Sequence, residues 1–138
     1  MELAVSLLLV DDEEMIVEIL KDALEEGGFR VETCQSAEEA LEALSRKAAD
    51  GLVGLITDIN LGSKLTGWDL GRRARELRPD LPVVYTSGYA ADDWPAEGVP
   101  NSLVVRKPFA AAQVVTAIST LLNKAASVPG SASGSASA

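Results

Sequence analysis

The stretch LLLVDDEE, Leu7 to Glu14, decides how this chain is read. Four apolar residues run straight into four acids. A continuous apolar run with no polar alternation is the pattern of a strand covered on both faces, as in a parallel sheet. The aspartates that follow repel each other unless they only cap a helix or something positive sits between them.

Working outward, the same pattern recurs. LAVSLLLV (Leu3 to Val10) reads as the first strand, and Glu14 to Glu26 as a helix. That helix carries Met15, Ile16, Ile19, Leu20, Ala23 and Leu24 on one stripe and stops at Gly27 and Gly28. FRVETC (Phe29 to Cys34) is a short strand, and Ser36 with Glu39 forms a capping box for a helix ending near Lys47. GLVGLITD (Gly51 to Asp58) is a third strand ending in an acid, and Thr66 caps a helix from Gly67 to about Arg78. PVVYTS (Pro82 to Ser87), a weak helix around Ala91 to Glu97, SLVVRK (Ser102 to Lys107) and a helix from about Ala110 to Lys124 complete the series. The stripe of that last helix is Val114, Val115, Ile118, Leu121 and Leu122. Strands alternating with helices predict an α/β fold with a five-stranded parallel sheet, doubly wound with helices on both faces.

Composition narrows the function. The 138 residues suffice for one domain, placed at 1-125, with the Ser/Gly/Ala-rich 126-138 read as a flexible linker or tail. A formal net charge of -9 disfavours nucleic acid as a partner. The apolar start is too short for a membrane span and lacks the basic residues of a signal peptide. One cysteine, Cys34, permits no internal disulfide, so a cytoplasmic setting is expected. The chain has no histidine, which removes histidine-based catalytic and metal sites.

Open parallel sheets bind ligands beyond the carboxyl ends of their strands. There the chain places Asp11 and Asp12, Asp58, Thr86–Ser87–Gly88, and Lys107. Three crowded carboxylates call for a cation, and an all-oxygen donor set points to a hard one such as Mg2+. A metal, a carboxylate nucleophile, a hydroxyl and an ammonium together make a phosphoryl-transfer set, with Asp58 the best placed nucleophile. Taken singly, each residue has a plainer role: helix cap for the aspartates, turn residue for Asp58, solvated lysine for Lys107. Their joint placement outweighs these. Trp68 and Trp94 read as packing or partner-surface residues and Cys34 as a core residue.

Four pieces in order, LLVDDE (Leu8 to Glu13), ITDINL (Ile56 to Leu61) with Gly67, PVVYTSGY (Pro82 to Tyr89) and VVRKPF (Val104 to Phe109), resemble the receiver domain of bacterial two-component response regulators. That resemblance covers Leu7 to about Leu122 and implies a (βα)5 flavodoxin-like sandwich. It implies that Asp58 accepts the phosphoryl group, with Ser87 and Lys107 acting on the phosphate. It also implies that Asp11, Asp12, Asp58 and the Asn60 carbonyl serve Mg2+, and that the Lys107–Pro108 bond is cis. Asn60 and Tyr89 occupy the positions that tune hydrolysis of the aspartyl phosphate. The implied partners are a sensor histidine kinase or histidine phosphotransfer protein upstream, and a protein docked on the helix 4–strand 5–helix 5 face downstream. The domain would be no enzyme beyond its own phosphorylation and dephosphorylation. It would be either a stand-alone receiver or the receiver of a hybrid histidine kinase. Two departures stand out. Gly62 replaces the usual proline in a loop one residue longer, and Val104 replaces the usual aromatic switch. The alternative is a receiver-like interaction module that is no longer phosphorylated. A haloacid-dehalogenase-type enzyme would want a second aspartate two residues after its nucleophile, where Asn60 stands. A flavodoxin-like cofactor binder would want a phosphate loop after the first strand.

Overall fold

In the computed structural model, which describes residues 5–47, 51–62, 64–88 and 90–127, five strands form one parallel sheet in the order β2-β1-β3-β4-β5. The strands are β1 (Ser6–Val10), β2 (Arg30–Cys34), β3 (Leu52–Asp58), β4 (Val83–Ser87) and β5 (Ser102–Arg106), and the helices are α1 (Glu14–Glu26), α2 (Ala37–Lys47), α3 (Gly67–Leu77), α4 (Trp94–Glu97) and α5 (Ala111–Ser127). The expected doubly wound α/β architecture is therefore the observed one. Residues 3–4 of the expected first strand, and 128–138 of the expected tail, lie outside the described residues.

Two apolar layers flank the sheet. On one side α1 and α5 pack Leu20, Leu24, Val114 and Ile118 against Leu7, Leu9, Ile56 and Val84. On the other, α2 and α3 pack Ala40, Leu44, Leu70 and Ala74 against Leu8, Val10, Leu55 and Val83. Alternate residues of β1 thus serve opposite layers, which is why its sequence shows no polar alternation. Fully burying each such leucine stabilises the fold by roughly 1.5–3 kcal/mol.

Local signals set the helix starts. Thr66 accepts from the Asp69 N–H while the Asp69 carboxylate accepts from the Thr66 N–H, closing a capping box at α3. At α2, Ser36 Oγ accepts from the Glu39 N–H as expected, but the Glu39 carboxylate reaches one residue further back, to the Gln35 N–H at 2.8 Å. The helix expected around Ala91 to Glu97 is a 3-10 turn, Ala90–Asp93, followed by the single turn of α4. The stripe assigned to α1 divides in two. Leu20 and Leu24 are buried, whereas Met15 and Ile19 stand 75% and 54% exposed. Ile16 and Val17 between them pack against the core and Leu20 beside Ile19 is fully buried, so Met15 and Ile19 lie off the packed face of the helix.

Tyr85 organises the second layer. It is fully buried, its ring lies 4.6 Å from that of Trp68 at 55°, and its hydroxyl accepts from the Val99 N–H at 3.2 Å. A Cβ at Gly71 of α3 would collide with that hydroxyl. Trp94 extends the same layer, donating its Nε1–H to Ser102 Oγ, which in turn donates to the Val99 carbonyl. Both tryptophans are therefore packing residues, and Val104, partly buried, packs against the same cluster. Gly71→Ala is expected to destabilise by roughly 1–3 kcal/mol through overpacking, despite alanine's better helix propensity. In a Tyr85→Phe background the cost shrinks to within about 1 kcal/mol of zero. Urea denaturation of the four proteins measures this cycle. Equal costs in both backgrounds would refute it.

Candidate functional site

The register of the sheet brings the predicted residues to one level. Val10 pairs with Thr57, so Asp11 and Asp58 leave adjacent strands side by side. Asp58 pairs with Thr86 and Ser87 with Arg106, so Lys107 follows at the same edge. Backbone hydrogen bonds extend the ladders past the strands: Asp11 N–H to Cys34, Ile59 N–H to Thr86 and Lys107 N–H to Ser87. The site sits where the strand order reverses, between β1 and β3, with its lysine carried on β5's exit.

Asp12, Glu13, Asp58, Asn60, Gly62, Ser87, Gly88 and Lys107 line an open cleft of about 470 Å³. One carboxylate oxygen from each of Asp11, Asp12 and Asp58 lies within 4.8 Å of the others. Asp11 and Asp58 are buried, while Asp12 is exposed. Lys107 Nζ stands 3.3 Å from Asp58 Oδ2, 3.3 Å from Glu13 Oε1 and 3.8 Å from Asp11 Oδ2. The Asn60 N–H points to Asp58 Oδ1 at 3.4 Å. The Lys107–Pro108 bond is cis.

Two glycines shape the floor. A Cβ at Gly67 would collide with the Asp58 carbonyl and stand 2.7 Å from Ile59 Cα, so only glycine lets α3 start directly on the chain leaving β3. Gly62 has φ +67, which proline's ring forbids, and a Cβ there would come 3.2 Å from Asp12 Oδ2. The departure at Gly62 is thus a left-handed turn that brings the loop against the acids. Tyr89 lies outside the described residues.

The electrostatics are strained. Burial, reinforced by the charge of Asp58 and opposed by the Glu13 N–H and Lys107, pushes Asp11 up to about 6. Burial also raises Asp58, against the pull of Lys107 and the Asn60 and Ile59 N–H groups. Burial alone would lower Lys107, but Asp58 and Asp11 outweigh it and hold the ammonium charged. Among the described residues, Asp11 Oδ2 is a buried side-chain oxygen with no hydrogen-bond partner, while its Oδ1 accepts from the Glu13 N–H at 2.9 Å. An orphaned carboxylate oxygen beside two more carboxylates suits an oxygen-seeking divalent cation, so the residues fit Mg2+.

Sequence reading missed two features. Glu13 was one acid in a run of four, and nothing in its type or position signals a contact with Lys107, 94 residues away. Next to the acid cleft, Ile16, Ile19, Pro108 and Phe109, with Glu13 and Lys107, line an apolar groove of about 450 Å³. Periodicity puts Ile16 and Ile19 on the stripe of α1, and no pattern local to either segment brings them together with Pro108 and Phe109.

A parallel sheet of order 2-1-3-4-5 with an acid cluster and a lysine at its switch point defines a receiver-type α/β module. The model of the response regulator receiver domain matches residues 7–119, and the chain belongs to that family, the receiver domains of two-component systems. The acid cluster fits the Mg2+ site of such domains. A response regulator receiver protein from Sinorhizobium medicae has a solved structure that is 41% identical, with a TM-score of 0.83 over 88% of this chain and 97% of that one. The C4-dicarboxylate transport transcriptional regulatory protein DctD of Rhizobium meliloti is 33% identical over 83% of this chain and 25% of its own length. The response regulator SaeR of Staphylococcus aureus is 29% identical over 86% of this chain and 50% of its own. The chain thus spans a quarter to a half of these curated relatives.

Asp11 sets a pH signature for the metal-free chain. Its folded-state value lies above the ordinary carboxylate value of 3.8, so its contribution is most favourable below pH 3.8 and is lost as pH rises through about 6. A gap of that size corresponds to about 3 kcal/mol. Asp11→Asn, which keeps the acceptor for the Glu13 N–H, should stabilise the metal-free protein by roughly 1–3 kcal/mol at pH 8 and by little at pH 4. Urea midpoints at the two pH values measure this. A variant less stable than wild type at pH 8 would contradict it.

Proposed function

We propose that this receiver domain is a phospho-acceptor switch, taking a phosphoryl group from a partner's phosphohistidine onto Asp58. The observation that carries this reading is the convergence of the buried Asp58 carboxylate with Lys107 Nζ at 3.3 Å in a cleft open to solvent. An Asp58 carboxylate oxygen attacks phosphorus in line with the nitrogen that leaves. The O–P bond forms as the N–P bond breaks, and the partner's imidazole departs with the electron pair. Lys107 neutralises charge on the transferring oxygens, and the Ser87 hydroxyl donates to one of them. Gly88, with open space where a Cβ would be, leaves room for the group to enter. Mg2+, held by Asp12, Asp58 and the Asn60 carbonyl with Asp11 behind, would supply further charge neutralisation when bound.

The same reading assigns the partners. The apolar groove between α1 and the β5–α5 connection opens beside the cleft and shares Glu13 and Lys107 with it. It suits an amphipathic helix of a histidine kinase or phosphotransfer protein presenting its phosphohistidine to Asp58. Output would pass to a downstream protein on the α4–β5–α5 face. With α4 only four residues long, that face is carried mainly by β5 and α5. Phosphorylation would shift a balance between two conformers rather than create a new one. No helix among the described residues is long and apolar enough to cross a membrane. We assign the switch to the cytoplasm.

The test is intact mass after incubation with acetyl phosphate, with and without Mg2+. Wild type should gain one phosphoryl group only with Mg2+, and Asp58→Asn none. Lys107→Ala should keep its Mg2+ response in stability but be phosphorylated at least tenfold more slowly. Phosphorylation of the Asp58→Asn variant on another residue would refute the acceptor assignment. No gain in any protein would favour an interaction module that has lost phosphorylation.

A further inference from the structure

Lys107 is shared, and one of its partners has no part in the transfer just described. We propose that Glu13 is a positioning residue that holds the Lys107 ammonium partly out of the reaction centre and slows phosphorylation by donors unable to displace it. The inference rests on the phospho-acceptor reading of Asp58.

Four observations carry it. Glu13 Oε1 and Asp58 Oδ2 both stand 3.3 Å from Lys107 Nζ, so the two carboxylates compete for one ammonium at equal distance. Glu13 occupies the N-cap position of α1, where a short polar side chain would bond the first turn, yet its side chain makes no capping hydrogen bond and turns to Lys107 instead. Capping therefore does not explain its contact. Its backbone is fixed independently, by the N–H donated to Asp11 Oδ1 and by its carbonyl, which accepts from the Val17 N–H. Its side chain is 60% exposed against 6% for Asp58, so it can swing away at little cost while Asp58 cannot.

Position gives this competition a use. Glu13 and Lys107 are the two residues common to the acid cleft and the apolar groove. A helix seated in the groove would meet the Glu13 side chain directly and displace it, releasing Lys107 to the phosphoryl oxygens as the donor arrives. A small free donor reaches the cleft without touching the groove and leaves the Glu13–Lys107 pair intact. Glu13 would thus favour partner-delivered phosphoryl groups over free metabolite donors.

The test uses acetyl phosphate with Mg2+ on the full chain. In that step an Asp58 oxygen bonds phosphorus, the bond between phosphorus and the acetyl oxygen breaks, and acetate leaves with the electron pair. No proton moves. Phosphorylation is followed by intact mass over hours, so that slow variants are read, in wild type, Glu13→Gln, Lys107→Met and the double variant. Glu13→Gln should accelerate the reaction roughly threefold to tenfold, the size expected for one partly screened charge pair. In the Lys107→Met background the same change should move the rate less than twofold. Glu13→Asp, one methylene shorter, should fall between wild type and Glu13→Gln. A Glu13→Gln rate at or below wild type would overturn the proposal while leaving Asp58 as acceptor. An equal acceleration in both backgrounds would also overturn it, since the effect would then be bulk charge at the cleft mouth. Absence of phosphorylation in wild type would strike the acceptor reading, and the inference with it.

Discussion

Asp11 and Asp58 leave neighbouring parallel strands at the same level, and their carboxylates meet in a place with little water. Parallel pairing in register makes this unavoidable once both strands end in aspartate. The repulsion is relieved only in part by Lys107, whose one ammonium is divided among Asp58, Asp11 and Glu13. Burial raises both buried acids, the charge of Asp58 raises Asp11 further, and one oxygen of Asp11 is left with no hydrogen bond. The fold therefore carries a local conflict at its functional edge, and two apolar layers hold that edge in place. A divalent cation bound among the three carboxylates would resolve it.

Much of this was legible in the residues themselves. Apolar runs such as Leu7–Val10 and Leu52–Asp58 are read as buried parallel strands because both faces are covered. Asp11, Asp12, Asp58, Ser87 and Lys107 could be placed together because strand ends in such a sheet share one edge. Thr66 and Ser36 marked helix starts through chemistry local to a few residues.

What was not legible depends on distances that no local pattern encodes. The stripe of α1 names Met15 and Ile19 as apolar but does not say that they lie off the face that packs on the sheet. The pairing of Glu13 with Lys107 spans most of the chain and becomes visible only in three dimensions. Gly71 gives no hint that the Tyr85 hydroxyl fills the space its side chain would need. The absence of an aromatic residue at Val104 gains context in the same way. The aromatic mass of this layer sits instead on Trp68, Tyr85 and Trp94, linked through Val99 and Ser102.

Without a cation among them, the strand-end carboxylates oppose folding. The direct measurement is the thermal midpoint of wild type and Asp58→Asn, in chelator and across a series of Mg2+ concentrations near neutral pH. Asp58→Asn should be the more stable protein in chelator, and Mg2+ should raise wild type by a larger increment, narrowing or closing the gap. A wild-type midpoint indifferent to Mg2+, or an Asp58→Asn protein less stable than wild type in chelator, would contradict it.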